Sequence, residues 1–255
     1  AISSACRPRK EHPGELVRPA AGRHSDGGLT SGAGKRRTFG DSRIMTAVKF
    51  DIQPLFAEPF MRANIGHAIS AEQVDFIKNL KMIRNKSNLI SENLYIFEEP
   101  QLRSVKKAVQ ETLDAYAAEV LGVKQRLYIT QSWSLINPPG VGMHGHTHSN
   151  SIVSGSLYYT DLPEPVSGMI FDRHRTYQQI ELRPERDKNN LYNATANLVM
   201  PRKHDVILFS SSLQHMVQVN GSTEPRYSIA FNSFIKGRIG DFRDVSELVL
   251  KGPDA

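Results

Sequence analysis

Arg126-Leu-Tyr-Ile-Thr-Gln-Ser-Trp-Ser-Leu-Ile136 is where the chain changes its period. Upstream, apolar residues return every three or four positions. From here the period is two, as in strands half-buried in a sheet. Further candidate strands are 143–148, 151–160, 167–172, 176–182, 195–200, 204–210, 214–219 and 226–236. Between them lie turn-forming stretches such as Asn137-Pro-Pro-Gly140, Asp161-Leu-Pro-Glu-Pro165, 183–190 and Asn220-Gly221. Many short strands at this spacing predict a sandwich or barrel.

Ahead of this β-region the pattern is mixed. Residues 48–60 hold Phe50, Ile52, Leu55, Phe56 and Phe60 among two prolines, which reads as an extended segment or edge strand. A helix is predicted over 70–84, with Ser70 as N-cap and Val74, Ile77, Leu80 and Ile83 on one face. A longer helix is predicted over 100–121. It opens at Pro100, carries Leu102, Val105, Val109, Leu113, Tyr116 and Val120 as its stripe, and stops at Gly122. A final helix is predicted over 241–251, from Phe242, Val245, Leu248 and Val249. The expected fold class is mainly β with flanking helices, the N-terminal ones packed outside one sheet.

The 255 residues have room for one sizeable domain or two small ones. The only cysteine, Cys6, excludes an internal disulfide and a cysteine-based zinc site. No apolar run approaches the roughly 20 residues needed to cross a bilayer, so no membrane partner is expected. No internal repeat stands out. The net charge of +6 suggests nucleic acid until it is divided along the chain. Residues 1–44 hold nine Lys/Arg against four Asp/Glu, which leaves 23 against 22 in 45–255. The basic surplus therefore belongs to the leader, and a nucleic-acid groove is not indicated for the body. With seven glycines, three prolines and five serines, residues 1–44 read as a disordered basic leader. Met45 follows directly, which suggests that the natural chain begins there, and 45–255 reads as a single domain with its β-core at about 126–236.

The chemistry concentrates in Met143-His-Gly-His-Thr-His-Ser149. In a strand, side chains two apart share a face. His144, His146 and His148 would point the same way, with about 6.7 Å between successive Cα atoms. Two such imidazoles can converge on one ion at roughly 2.1 Å. His144 and His148, about 13 Å apart, cannot meet on one ion without a bend. The pair is therefore 144/146 or 146/148. A lone histidine is more often structural than a ligand, but three in five residues are harder to dismiss, and His215 offers a distant partner behind the apolar run Asp205-Val-Ile-Leu-Phe209. Eleven residues on comes Arg226-Tyr-Ser-Ile-Ala-Phe-Asn232, where Arg226, Ser228, Ala230 and Asn232 share a face. An arginine on an inner face is costly unless an anion pairs with it, and its fork matches a carboxylate. Trp133 reads as a packing residue, as large aromatics in strands usually are.

The His-x-His pair, the distant His and the Arg-x-Ser resemble the iron(II)- and 2-oxoglutarate-dependent oxygenases, and most closely a branch found in bacteria and marine phages. The resembling segments are 133–137, 146–159, 205–215 and 226–232, within a coverage of about residues 50 to 236. Ser154-Gly155, eight residues after His146, fixes the register and selects 146/148. The resemblance implies a double-stranded β-helix, or jelly roll. It implies Fe(II), 2-oxoglutarate and O2 as cofactors, and hydroxylation of an unknown prime substrate with release of succinate and CO2. It assigns His146 and His215 to the metal, and places His148 where the family usually has a carboxylate. His148 is the preferred third ligand, with His144, Asp172 and Asp161 as alternatives. Arg226 would take the distal carboxylate of 2-oxoglutarate, supported by Ser228, with Tyr158, Tyr159 or Asn137 as further hydrogen-bonding groups.

Two other function classes fit parts of the pattern. Three histidines suit a cupin-like zinc hydrolase, but hydrolysis does not need the Arg-x-Ser. A non-enzymatic jelly-roll binding module, docking nucleic acid through the leader, is disfavoured by the neutral body. A cytoplasmic location is expected, and a homodimer is left open.

Overall fold

The computed structural model describes residues 51–173, 184–241 and 245–251. The chain divides into two units, Ala1–Ile52 and Gln53–Ala255. Nearly all of the first, with the leader, lies outside the described residues, as do the strand predicted over 176–182 and Phe242 of the final predicted helix. In the second unit the strands are β1 (Phe60–Asn64), β2 (Met82–Arg84), β3 (Leu89–Ser91), β4 (Arg126–Asn137), β5 (Met143–His146) and β6 (Val153–Leu157). They continue with β7 (Met169–Asp172), β8 (Ala196–Val199), β9 (Asp205–Ser210), β10 (Gln214–Val217), β11 (Arg226–Asp241) and β12 (Val245–Leu250). The α-helices are α1 (Ala71–Lys78) and α2 (Arg103–Tyr116).

One sheet runs in the order β1-β9-β6-β11-β4-β3-β2, with β12 attached to β11; the other runs β5-β10-β7-β8. All the paired strands of both sheets are antiparallel. From β4 to β11 the chain passes repeatedly between the sheets, and β6, β9 and β11 end up side by side. This is the jelly-roll arrangement, with modest flanking helices.

The alternation of side chains across the large sheet divides the core in two. On one face Val153, Leu157, Val206, Leu208, Ile229 and Phe231 pack with Leu102, Val105, Val109, Leu113 and Tyr116 of the α2 segment. That is the predicted stripe, and each fully buried large side chain contributes about 1.5–3 kcal/mol. Gly122 ends this helical segment with φ +64°. On the other face Tyr158, Ile207 and Phe209 meet Met169, Phe171 and Val199 of the small sheet. Most of the candidate site residues of the sequence sit in this second layer.

Gly155 is required by the first layer. Its register partners are Phe231 on one side and Leu208 on the other. A Cβ there would collide with the Phe231 ring and lie 2.7 Å from Leu208 Cδ2. Gly155→Ala is expected to cost about 2 kcal/mol through overpacking. A thermal melt should show a midpoint lower by about 5 °C.

Several sequence expectations are corrected. The first helix ends at Lys78, and Met82–Arg84 instead pairs with Leu89–Ser91 in a hairpin that places Ile83 opposite Ile90. The Ser70 cap is present as a full capping box with Gln73. Residues 48–50 of the segment 48–60 lie outside the described residues; of 51–60, only Phe60 joins a strand, since Pro54 and Pro59 have no N–H to give a ladder. The predicted helix 241–251 is strand β12 over Val245–Leu250. A short apolar run does not distinguish helix from strand. Here the edge of β11 decides it: β11 outruns β4, whose pairing stops at Lys236↔Arg126, and β12 takes up the bare edge.

Candidate active site

His146 and His215 face each other directly across β5 and β10. His148 follows just beyond the end of β5, in the segment leading to β6, so the predicted strand 143–148 stops two residues early. Its backbone N–H donates to Ser211 O at 2.9 Å, which ties it to the turn between β9 and β10. The three side chains can present ring nitrogens that all lie within 4.8 Å of one another. His148 Nε2 and His215 Nε2 are 3.2 Å apart. Donors at roughly 2.1 Å from one ion with ordinary angles stand about 3–3.4 Å apart, so the set could hold a divalent cation.

Two of the three rings are fixed in the same manner. His146 Nδ1–H donates to His144 O at 2.9 Å, and His215 Nδ1–H donates to Leu213 O at 3.0 Å. Each bond leaves Nε2 with its lone pair, the tautomer that a ligand needs. The alternatives for the third position lie elsewhere. His144 is exposed and contributes its carbonyl. Asp161 is an exposed partner of Lys203 at 2.8 Å. Asp172 alternates with Phe171 along β7 and so points away from the second core layer.

His215 is buried, with Phe209 at 4.6 Å and Phe171 at 6.2 Å between ring centroids. Phe60 stacks on Phe171 at 6.2 Å. Burial, reinforced by the neighbouring imidazoles, pushes His148 down to about 4. Burial also pushes His215 down to about 4, although its bond to Leu213 opposes this. The unfolded chain takes up protons near pH 6.5 that the metal-free folded protein refuses until about pH 4. Stability of the metal-free protein is therefore level above pH 6.5 and falls as pH drops from there towards 4. Its melting temperature is expected to be about 5 °C or more lower at pH 5 than at pH 7.5, and the gap should shrink in His148→Gln.

At the other end of the same layer Arg226, at 2 % exposure, sits opposite Asn137 in the β11–β4 register. Its Cζ lies 5.0 Å from the centre of the Tyr158 ring. Among the described residues no carboxylate pairs with it, and its Nε has no hydrogen-bond partner. Tyr158 Oη and Asn137 Nδ2 are likewise buried without partners. Asn137 is held from behind, since its Oδ1 accepts from Asn88 and its backbone O from Asn220. Burial raises the Tyr158 hydroxyl above its usual range even though the guanidinium opposes the shift, so it stays protonated and can donate. Ser228 is buried two residues along on the same strand face. Tyr159 points the other way, into the helix-side core, where its hydroxyl meets Ser134 Oγ at 3.5 Å. Between the two ends the large sheet presents Ser156 and Ala230, directly paired and small.

Three features of the site were not legible as such. The Phe209 and Phe171 wall read only as core. A hydroxyl cluster joins Ser154 to Ser211 at 2.8 Å and to Asn232 Oδ1 at 2.9 Å, with Ser151 a further 2.7 Å from Ser211. Trp133, read as a packing residue, belongs to neither core cluster and lies half-buried beside His148.

Residues 131–232 match the model of a family described as "Putative 2OG-Fe(II) oxygenase". No sequence among the curated proteins matches the chain. Among solved structures, the epimerase SnoN from nogalamycin biosynthesis, in complex with Fe3+, alpha ketoglutarate and nogalamycin RO, is 12% identical with a TM-score of 0.51, over 69% of this chain and 79% of that one. A second structure of SnoN gives 14% identity and a TM-score of 0.50, over 69% and 78%. HygX from Streptomyces hygroscopicus, with nickel, 2-oxoglutarate and hygromycin B bound, gives 14% and 0.48, over 69% and 82%. At these identities the SnoN likeness is one of fold.

Proposed function

Because residues 131–232 match the model of a family described as "Putative 2OG-Fe(II) oxygenase", we propose that the protein is a 2-oxoglutarate–iron(II) oxygenase and holds iron through His146, His148 and His215. It anchors 2-oxoglutarate on Arg226 and hydroxylates a prime substrate with release of succinate and CO2. The observation that carries the reading is Arg226: a buried guanidinium without a carboxylate among the described residues, with two further orphaned donors in the same layer. An uncompensated buried charge costs several kcal/mol, so the pocket is built for an anion.

The residues fit the cosubstrate. Arg226 offers a carboxylate a charge and a fork of donors, while Tyr158 Oη and Asn137 Nδ2 supply the hydrogen bonds their burial demands. Ser228 adds a hydroxyl beside them. Ser156 and Ala230 leave room for a short aliphatic chain between the anchor and the imidazoles. When bound, iron with 2-oxoglutarate and O2 supplies the oxidant for an unactivated C–H bond. The protein's part is to orient. His146 and His215 keep Nε2 free of protons through their Nδ1 bonds, Phe209 and Phe171 exclude water from one side, and Arg226 sets the direction of the chain that reaches the metal. Plain hydrolysis at a zinc-bound water does not of itself need a carboxylate anchor at this place.

The test is succinate formation from 2-oxoglutarate by protein purified without oxygen and loaded with iron(II), alongside equilibrium binding of 2-oxoglutarate to the cobalt-loaded form. Folded, iron-loaded protein that neither binds 2-oxoglutarate nor forms succinate overturns the proposal.

A further inference from the structure

The three imidazoles are not held alike. His146 and His215 each donate Nδ1–H to the main-chain carbonyl two residues earlier. His148 makes no such bond. Among the described residues the only hydrogen-bond contact of its ring is Nε2 to His215 Nε2, on the side that faces the cluster. It also stands outside β5, so strand pairing does not aim it.

What bounds the His148 ring is other rings. His215 lies edge to edge with it, with 5.1 Å between centroids, 6° between planes and 3.2 Å between the Nε2 atoms. The other ring neighbour, apart from His146, is the Trp133 indole, at 6.3 Å and 29°. Trp133 is fixed in the middle of β4, opposite Ala230, whose small side chain leaves it space. It belongs to neither apolar cluster and stays half-buried, so core packing does not account for so large a residue here. Ring pairs at 4.5–7 Å contribute about 0.5–1.5 kcal/mol beyond area burial, enough to bias a rotamer.

We propose that Trp133 is a positioning residue that holds the His148 imidazole in its metal-facing orientation, in place of the main-chain bond that fixes the other two rings. The inference rests on the metal reading given above. It makes His148 the most easily displaced of the three ligands.

The experiment uses the full chain and cobalt(II) as probe, comparing wild type, Trp133→Leu, Trp133→Phe, His148→Ala and the His148→Ala/Trp133→Leu double variant. Affinity is read by chelator competition, coordination by the visible d–d spectrum, and folding by thermal melts. Outer partners of metal ligands typically set affinity by about 10–100-fold. Trp133→Leu is expected to weaken cobalt binding about 10-fold and to shift the spectrum towards that of His148→Ala. Trp133→Phe, which keeps a flat ring, should restore most of both. In the His148→Ala background Trp133→Leu should add less than about 2-fold, since there is no ring left to hold. Because the chain has only one tryptophan, bound cobalt should also quench the wild-type emission reversibly.

Unchanged affinity and spectrum in Trp133→Leu overturn the proposal. So does an equal loss in the His148→Ala background, or a Trp133→Phe variant no better than Trp133→Leu. Wild-type protein that fails to bind cobalt sinks the metal reading itself, and the positioning role with it.

Discussion

Alanine in place of His215 is expected to leave a protein that retains no iron through gel filtration and forms no succinate. Structural zinc sites with four ligands bind with about 10–16 kcal/mol, which sets the scale of one ligand at about 3 kcal/mol, or about two orders of magnitude in affinity. The remaining pair would be His146 and the loosely held His148. Because His215 packs against Phe209 and Phe171, its removal also opens a hole in the wall of the site. His146→Ala is therefore the cleaner companion. That side chain is half-buried and outside both core clusters, so its loss should leave the melt of the metal-free protein nearly unchanged. A His146→Ala protein with its full iron complement, measured by metal analysis, would refute the ligand assignment.

The second large effect belongs to Arg226, and it has two signs. Arg226→Met should weaken 2-oxoglutarate binding by about 100-fold or more, because truncating one side of a buried charge pair costs about 2–5 kcal/mol. Cobalt affinity in the absence of 2-oxoglutarate should stay within about 2-fold, since Arg226 lies at the far end of the layer from the imidazoles. The same substitution should stabilise the ligand-free protein. It replaces a desolvated cation that has no counter-charge among the described residues by an apolar chain of similar reach. A raised melting temperature together with lost 2-oxoglutarate binding is the combined signature. Arg226→Met that binds 2-oxoglutarate normally would show that the anchor lies elsewhere.

The parts of the fold legible in the sequence are those where one face is buried and the other is not. The α2 stripe from Leu102 to Tyr116 and the strands β4, β9 and β11 all declare themselves by period, because each has an apolar side to hide. The histidines and Arg226 were legible because burying such groups is costly without a reason. What escaped depends on partners far along the chain. Met82–Arg84 and Val245–Leu250 are strands because an edge is vacant beside them, and neither segment records that edge. The reach of His148 into the cluster from beyond β5 depends on Ser211, 63 positions later. Trp133 could be recognised as something other than core only once its neighbours were known.

β4 has one residue more than β11 where Asn232 pairs with Gln131 and Ser233 with Ile129, so Thr130 is skipped. β11 keeps its alternation through this point, because its ladder with β6 runs on unbroken from Ile229 to Ser233, so it is β4 that changes face. Leu127, Ile129 and Trp133 are all odd-numbered, yet the first two lie in the helix-side core and Trp133 lies beside His148. A β4 without the extra residue would have to turn either its first two apolar side chains out of the core or its indole away from the imidazoles.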